Sequence, residues 1–304
     1  MADILLFGKD GQVGWELARA LAVVGEVVAL GKADCDLACG TAGSVIREVA
    51  PRIIVNAAAY TAVDRAESEP DLAHRINAGA VREMAEEAAR AGALLVHYST
   101  DYVFDGRLAR PYREDDAPSP GGVYARSKLD GERAIAQAGC RHLILRVCWV
   151  YSARGRNFVK TMLRLASQGT GLSVVGDQWG APTSAELVAD ATAACLRRLE
   201  AHGSDALLGT YHLAARGETT WCEFARHVLR TAESSGATLK CRWQDIEEIP
   251  SSEYPLPAPR PGNSRLDTSR IRAAFGLHLP DWRYHVGRTV AEFLAKDEGA
   301  GSTR

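Results

Sequence analysis

Short apolar runs rich in β-branched residues alternate with longer amphipathic stretches through the first half of the chain. The runs Ile4–Phe7, Val27–Leu30, Ile53–Asn56, Leu94–Ser99 and Leu143–Val147 predict strands. The stretches Val13–Val23, Val45–Ala50, Asp71–Ala91 and Tyr124–Gln137 predict helices between them. Strands alternating with helices of this length read as βαβ units on a parallel sheet. The runs are apolar throughout rather than at every second position, as expected where helices cover both faces. An α/β protein with a doubly wound parallel sheet is the expected fold.

The second half is less regular. Helices are predicted at Phe158–Ala166, Ser184–Leu199 and Trp221–Thr231, with an apolar run at Leu172–Val175 and a strand at Gly209–Ala214. A polar loop then carries Pro250, Pro255, Pro257, Pro259 and Pro261 and closes on Arg260-Pro261-Gly262-Asn263-Ser264-Arg265. Its length favours a binding element, with a rigid surface linker as the alternative. No internal repeat, coiled coil or membrane-type run is visible.

Composition narrows the field. With 304 residues, 46% of them hydrophobic, the chain can bury a large core. Lys+Arg numbers 36 against 38 for Asp+Glu, a net charge of −2, so no global field draws it to nucleic acid or a membrane surface. The seven cysteines are odd in number and scattered, which predicts buried free thiols in a reducing compartment rather than disulfides or a zinc site. Ile4–Phe7 is too short for the apolar core of a signal peptide, and Glu26 and Arg146 interrupt the other apolar stretches. A cytoplasmic protein is expected.

The chemistry starts at Gly8-Lys9-Asp10-Gly11-Gln12-Val13-Gly14, which follows the first strand and opens the first helix. Glycines there permit a tight turn and close backbone approach to a pyrophosphate, which the helix N-terminus would hold. The spacing is GxxGxxG rather than GxGxxG, and its setting predicts a Rossmann-type dinucleotide site. After the second strand, where a strict NAD site carries an acid, the chain has Leu30-Gly31-Lys32. Lys32 is read either as a partner for a 2′-phosphate, favouring NADPH over NADH, or as a solvated loop lysine. Small residues at Ala57, Ala58 and Ala59 would let a flat cofactor lie close to the third strand. Tyr124 and Lys128 stand four residues apart, hence on one helix face, where an ammonium would favour the phenolate and ready it for proton exchange. Thr100, at the end of the fourth strand, could donate to the same substrate oxygen.

These motifs resemble an extended short-chain dehydrogenase/reductase. The closer resemblance is to the dTDP-4-dehydrorhamnose reductase family. It rests on Asn56-Ala57-Ala58-Ala59-Tyr60-Thr61-Ala62-Val63-Asp64, Glu67-Ser68-Glu69-Pro70, Arg146–Tyr151, Gly180-Ala181-Pro182-Thr183 and Arg260–Asp267, and runs from about residue 3 to 295. It implies reduction of a dTDP-linked 4-dehydro sugar by NADPH or NADH, with Tyr124 as proton donor, Lys128 tuning it and holding the ribose, and Thr100 polarising the carbonyl. It further implies that Gly11, Gln12 and Val13 line the pyrophosphate, Asp36 and Leu37 the adenine, and Ala57, Ala58, Ala59 and Tyr98 the ribose and nicotinamide. Val63, Thr100, Asp101 and Trp149 would face the sugar, and Arg260 the diphosphate. Some members are Mg²⁺-bridged homodimers, which makes Glu16, Glu186 and Asp190 the candidate metal ligands. The implied division is a dinucleotide-binding domain over 1–150, rejoined by a segment near 180–215, and a smaller α/β substrate domain over the rest of 151–304 with an unstructured tail from 296. Two rivals stand beside it. An epimerase or 4,6-dehydratase of the same superfamily is disfavoured because Thr100 is followed by Asp101-Tyr102, not the Asp-Glu pair that dehydratases place there. A non-catalytic NADP-binding regulatory subunit would be expected to lose residues that are present here.

Overall fold

The computed structural model describes the backbone of residues 2–169 and 171–301, with side chains to residue 295. The first half runs β1 (Ile4–Phe7), α1 (Gln12–Leu21), β2 (Val27–Leu30), α2 (Ala42–Val49), β3 (Ile53–Asn56), α3 (Val63–Ala66), α4 (Pro70–His74), α5 (Ala80–Ala91), β4 (Leu94–Thr100), α6 (Val123–Ala138) and β5 (His142–Val147). The second half runs β6 (Val150–Tyr151), α7 (Phe158–Gln168), β7 (Ser173–Val175), β8 (Trp179–Gly180), β9 (Thr183–Ser184), α8 (Ala185–His202), β10 (Gly209–Leu213), β11 (Thr219–Thr220), α9 (Trp221–Ser234), β12 (Glu247–Ile249), α10 (Ser269–Phe275) and α11 (Trp282–Gly301).

Six strands form one parallel sheet in the order β10-β5-β4-β3-β1-β2. From β1 the chain steps outward to β2, then crosses back to β3 on the other side of β1. The order therefore reverses between β1 and β3, which opens a crevice at the carboxyl ends of those strands. Burial explains the unbroken apolar runs. Ile4 and Leu6 of β1 enter one core cluster and Leu5 and Phe7 the other, all essentially inaccessible. The first cluster continues without a break into α7, α8, α9 and α11, so one core serves both halves.

β10 joins the sheet beside β5, and α8 packs on α1. The remaining elements form a smaller body of α7, α9 and α11 with three short strand pairs, β6–β9, β7–β12 and β8–β11. The helix expected over Asp71–Ala91 is interrupted by a π turn at Arg75–Gly79 between α4 and α5. α11 runs to Gly301, over part of the segment expected to be an unstructured tail, and residues 302–304 of that expectation lie outside the described residues. All seven cysteines are free and all but Cys39 are buried. Among the described residues no helix is long and apolar enough to cross a membrane.

The proline loop is a strap tied down at several points. Ala258 N–H donates to Asp64 (3.3 Å), and Ser264 N–H donates to Trp179 O (2.7 Å). Between them Asn263 donates to the carbonyls of Leu108 (2.7 Å) and Arg110 (2.8 Å).

Candidate active site

The turn after β1 is shaped by two glycines. Gly8 has φ +92°, and a Cβ on it would stand 2.7 Å from the Ala58 nitrogen. A Cβ on Gly14 would stand 1.9 Å from the Gly8 carbonyl, so α1 can close on the turn only without a side chain there. The start of α1 thus meets the ends of β1 and β3 at the sheet crevice.

A cavity of about 610 Å³ opens there. Gly8, Gly11, Gln12, Val13, Lys32, Asp36, Leu37, Ala57, Ala58, Ala59 and Tyr98 line it, and so do Val63, Thr100, Asp101, Tyr124, Lys128 and Trp149. The residues predicted for cofactor, proton transfer and sugar therefore share one space. Gly14 lies behind the turn rather than on the wall. Arg156, Asn157 and Trp221 also line the cavity and carry no motif that the sequence made visible.

Thr100 ends β4, and its hydroxyl donates to Asp101 Oδ1 (3.0 Å) while accepting from the Tyr102 N–H (3.2 Å). The Tyr124 phenol, on the first turn of α6, lies beside the same hydroxyl. Lys128, one turn on and buried, donates to the Tyr98 carbonyl (2.7 Å) and meets His97 Nε2 at 3.2 Å. Asn77, in the π turn, fastens this helix from behind. It accepts from Tyr60 N–H (2.8 Å) and donates to the Tyr60 carbonyl (3.0 Å) and Ser127 Oγ (3.0 Å).

The electrostatics correct one expectation. The phenol of Tyr124 is pushed up to about 12 by burial, with the nearby Thr100 hydroxyl opposing that rise. Lys128 does not bring it down; burial lowers the lysine itself to about 8. A phenol that stays protonated at neutral pH suits donation to a developing alkoxide. Asp101 is raised to about 6 by burial, partly offset by the nearby Ser264 hydroxyl and the hydrogen bond from Thr100, while its Oδ2 is buried without a partner.

Trp149 carries φ +45°, a left-handed backbone that a bulky residue holds only when its surroundings impose it. Its indole stacks on Trp221 with centroids 3.7 Å apart, and Gly180 also lies against it, where a Cβ would come within 2.4 Å of the ring. Arg260 is not on the cavity wall. Its guanidinium donates to Asp64 (2.8 Å) and to the Ala258 carbonyl (3.1 Å).

The metal expectation does not fit this arrangement. Arg19 binds both Glu16 (3.2 Å) and Asp190 (2.8 Å), and Arg288 binds Glu186 (2.6 Å). These carboxylates are taken up by guanidinium groups, and among the described residues no group of three or more His, Cys, Asp or Glu could hold a metal ion.

Residues 1–295 match the family described as the RmlD substrate binding domain. The chain is 49% identical to a dTDP-4-dehydrorhamnose reductase of Salmonella typhimurium over 298 residues, 96% of this chain and 98% of that one. It is 47% identical to the Escherichia coli K12 protein of the same name, with the same coverage. A crystal structure of dTDP-4-dehydrorhamnose reductase from Bacillus anthracis in complex with NADP superposes with a TM-score of 0.84 at 31% identity, covering 95% of this chain and 98% of that one.

Proposed function

The chain belongs to the dTDP-4-dehydrorhamnose reductase family, and from that premise we propose that it reduces the C4 carbonyl of dTDP-4-dehydro-β-L-rhamnose to give dTDP-β-L-rhamnose. The product would serve the synthesis of cell-surface polysaccharide. The observation that carries the reading is that Tyr124, Thr100 and Lys128 meet on the wall of a cavity that the glycine turn and Trp149 also line.

When bound, the nicotinamide supplies the hydride. The chain's part is to place the sugar and deliver one proton. Tyr124 gives its phenolic proton to the C4 alkoxide as it forms, and Thr100 donates a hydrogen bond to the same oxygen. Lys128 stands one helical turn away and reaches the ribose. Val63, Asp101 and Trp149 bound the sugar. NADPH is the preferred reductant on this reading. Asp34, an acid near the adenosine end, is held by Lys9 (2.6 Å) and the Gly31 N–H (2.8 Å), whereas Lys32, at the cavity rim, reaches Asp36 at only 3.6 Å and stays 82% exposed.

The test is an absorbance assay at the reduced-nicotinamide band with the dTDP-4-dehydro sugar, NADPH set against NADH. The native chain is expected to oxidise NADPH faster, and Tyr124→Phe to lose about 10²–10⁴-fold in kcat while its NADPH affinity is kept. Undiminished turnover in that variant would remove Tyr124 from the mechanism.

A further inference from the structure

His97 lies beneath Lys128 and belongs to no motif of the cavity. It sits on β4, wholly buried, with Nδ1 3.1 Å from Asn56 Nδ2 and Nε2 3.2 Å from Lys128 Nζ. The donors along this line can be assigned, because one end is pinned to the backbone. The Ala58 N–H donates to Asn56 Oδ1 (3.1 Å), so the other half of that amide, the NH₂, faces His97. Nδ1 must then accept. A neutral imidazole with a bare Nδ1 carries its proton on Nε2, and that N–H points at Lys128.

An ammonium has no lone pair to receive it. A neutral amine does, and it still has an N–H for the Tyr98 carbonyl at 2.7 Å and another free for the cavity. Turning the imidazole proton to Nδ1 would set it against the Asn56 NH₂. Turning Asn56 would set its NH₂ against the Ala58 N–H. The backbone of Ala58 thereby dictates, through two side chains, what Lys128 meets.

We propose that His97, held by Asn56 in the Nε2–H form, is a positioning residue that aims Lys128 and lowers its affinity for a proton. The inference rests on the role given to Lys128 beside Tyr124 above. The other groups around the lysine act in different senses. Glu132, one turn further along α6, raises its proton affinity, but Glu132 is itself bound by Arg146 of β5 at 2.7 and 3.0 Å. Tyr124 on α6 and Asp101 after β4 line the same cavity. Burial keeps His97 neutral, and a proton on Lys128, when it is there, pushes in the same direction.

Two measurements test this. Nitrogen-15 histidine NMR on the cofactor-free protein is expected to show His97 as the Nε2–H tautomer, with a shift that changes across the Lys128 titration and stays flat in Lys128→Met. Asn56→Asp, which offers an acceptor to Nδ1, is expected to switch the ring to Nδ1–H. The second measurement is the pH profile of kcat/KM for sugar-nucleotide reduction, where His97→Met is expected to move the alkaline limb up by about one pH unit, since an N–H no longer opposes the ammonium. An Nδ1–H tautomer in the native protein overturns the proposal. So does a His97→Met profile lowered equally at every pH with its limb unmoved, which is what a structural role alone would give. A chain with no turnover of the sugar nucleotide would remove the reductase reading, and the NMR result would still decide the assignment of His97.

Discussion

A carboxyl group in the wall of an apolar pocket is penalised in its charged form, and Asp101 shows how large that penalty is here. Its pKa rises from 3.8 to about 6, with burial the largest cause. Between those two values the folded protein binds more protons at this site than the unfolded chain does. The stability associated with the neutral form is complete below 3.8 and is lost as pH rises through about 6, about 3 kcal/mol at full ionisation. Asp101→Asn keeps an oxygen for the Thr100 hydroxyl and removes the charge. It is therefore expected to raise the urea midpoint at pH 8 and to match the native midpoint below about pH 4, with turnover reduced. Equal midpoints at pH 8 would mean that water or a neighbouring donor already compensates the carboxylate. Residues of this kind were legible as types at spacings: Thr100, Tyr124, Lys128 and the glycines announced themselves by position in a motif. His97, Asn77 and Trp221 did not, because a single histidine, asparagine or tryptophan gains meaning only from what it touches across the fold.

At the level of elements, all six strands of the main sheet could be read, five as apolar runs between helices and β10 as the run Gly209–Ala214. Of the short strands of the smaller body only β7 showed, inside the apolar run Leu172–Val175, since a period cannot be seen in two residues. α11 did leave a trace, with Trp282, Val286 and Val290 buried at i, i+4 and i+8. The π turn at Arg75–Gly79 left none, because apolar positions continue across it at helical spacing. Yet that turn sets where α6 lies. It brings the Asn77 carbonyl so close that a Cβ on Gly131 would stand 2.3 Å away, while the Asn77 side chain holds Ser127 on the same helix. Gly131→Ala is expected to push α6 off its seat, at a cost of about 1–3 kcal/mol in stability, with a roughly tenfold or larger fall in kcat as Tyr124 moves. Gly287→Ala on α11, where a Cβ meets nothing within 4 Å, is the control and should gain about 0.5–1 kcal/mol from helix propensity. If both variants behave alike in thermal melts and assays, close packing at Gly131 does not position the helix.

Across the whole molecule, the two halves share a core. The glycine turn and β-strand ends that line the cavity belong to the first half, and the strap that carries Arg260 comes from the second, an order of motifs that the chain itself displays. The location of Arg260 was not visible, because its partner Asp64 is 196 residues away and becomes its neighbour only when the strap crosses. The guanidinium is satisfied by Asp64 and the Ala258 carbonyl, with Asp64 next to Val63 of the cavity wall. A diphosphate would compete for it with a carboxylate that is already in place, and a guanidinium can serve both through separate N–H groups. Arg260→Ala should then raise the KM for the sugar nucleotide about tenfold or more, change kcat less, and leave NADPH affinity by fluorescence titration unaltered. Asp64→Asn weakens the resting pair without removing the guanidinium, so its KM should stay near the native value or fall. A rise in KM equal to that of Arg260→Ala would instead make the Asp64–Arg260 pair itself, closing one half of the molecule on the other, the element that shapes the sugar site.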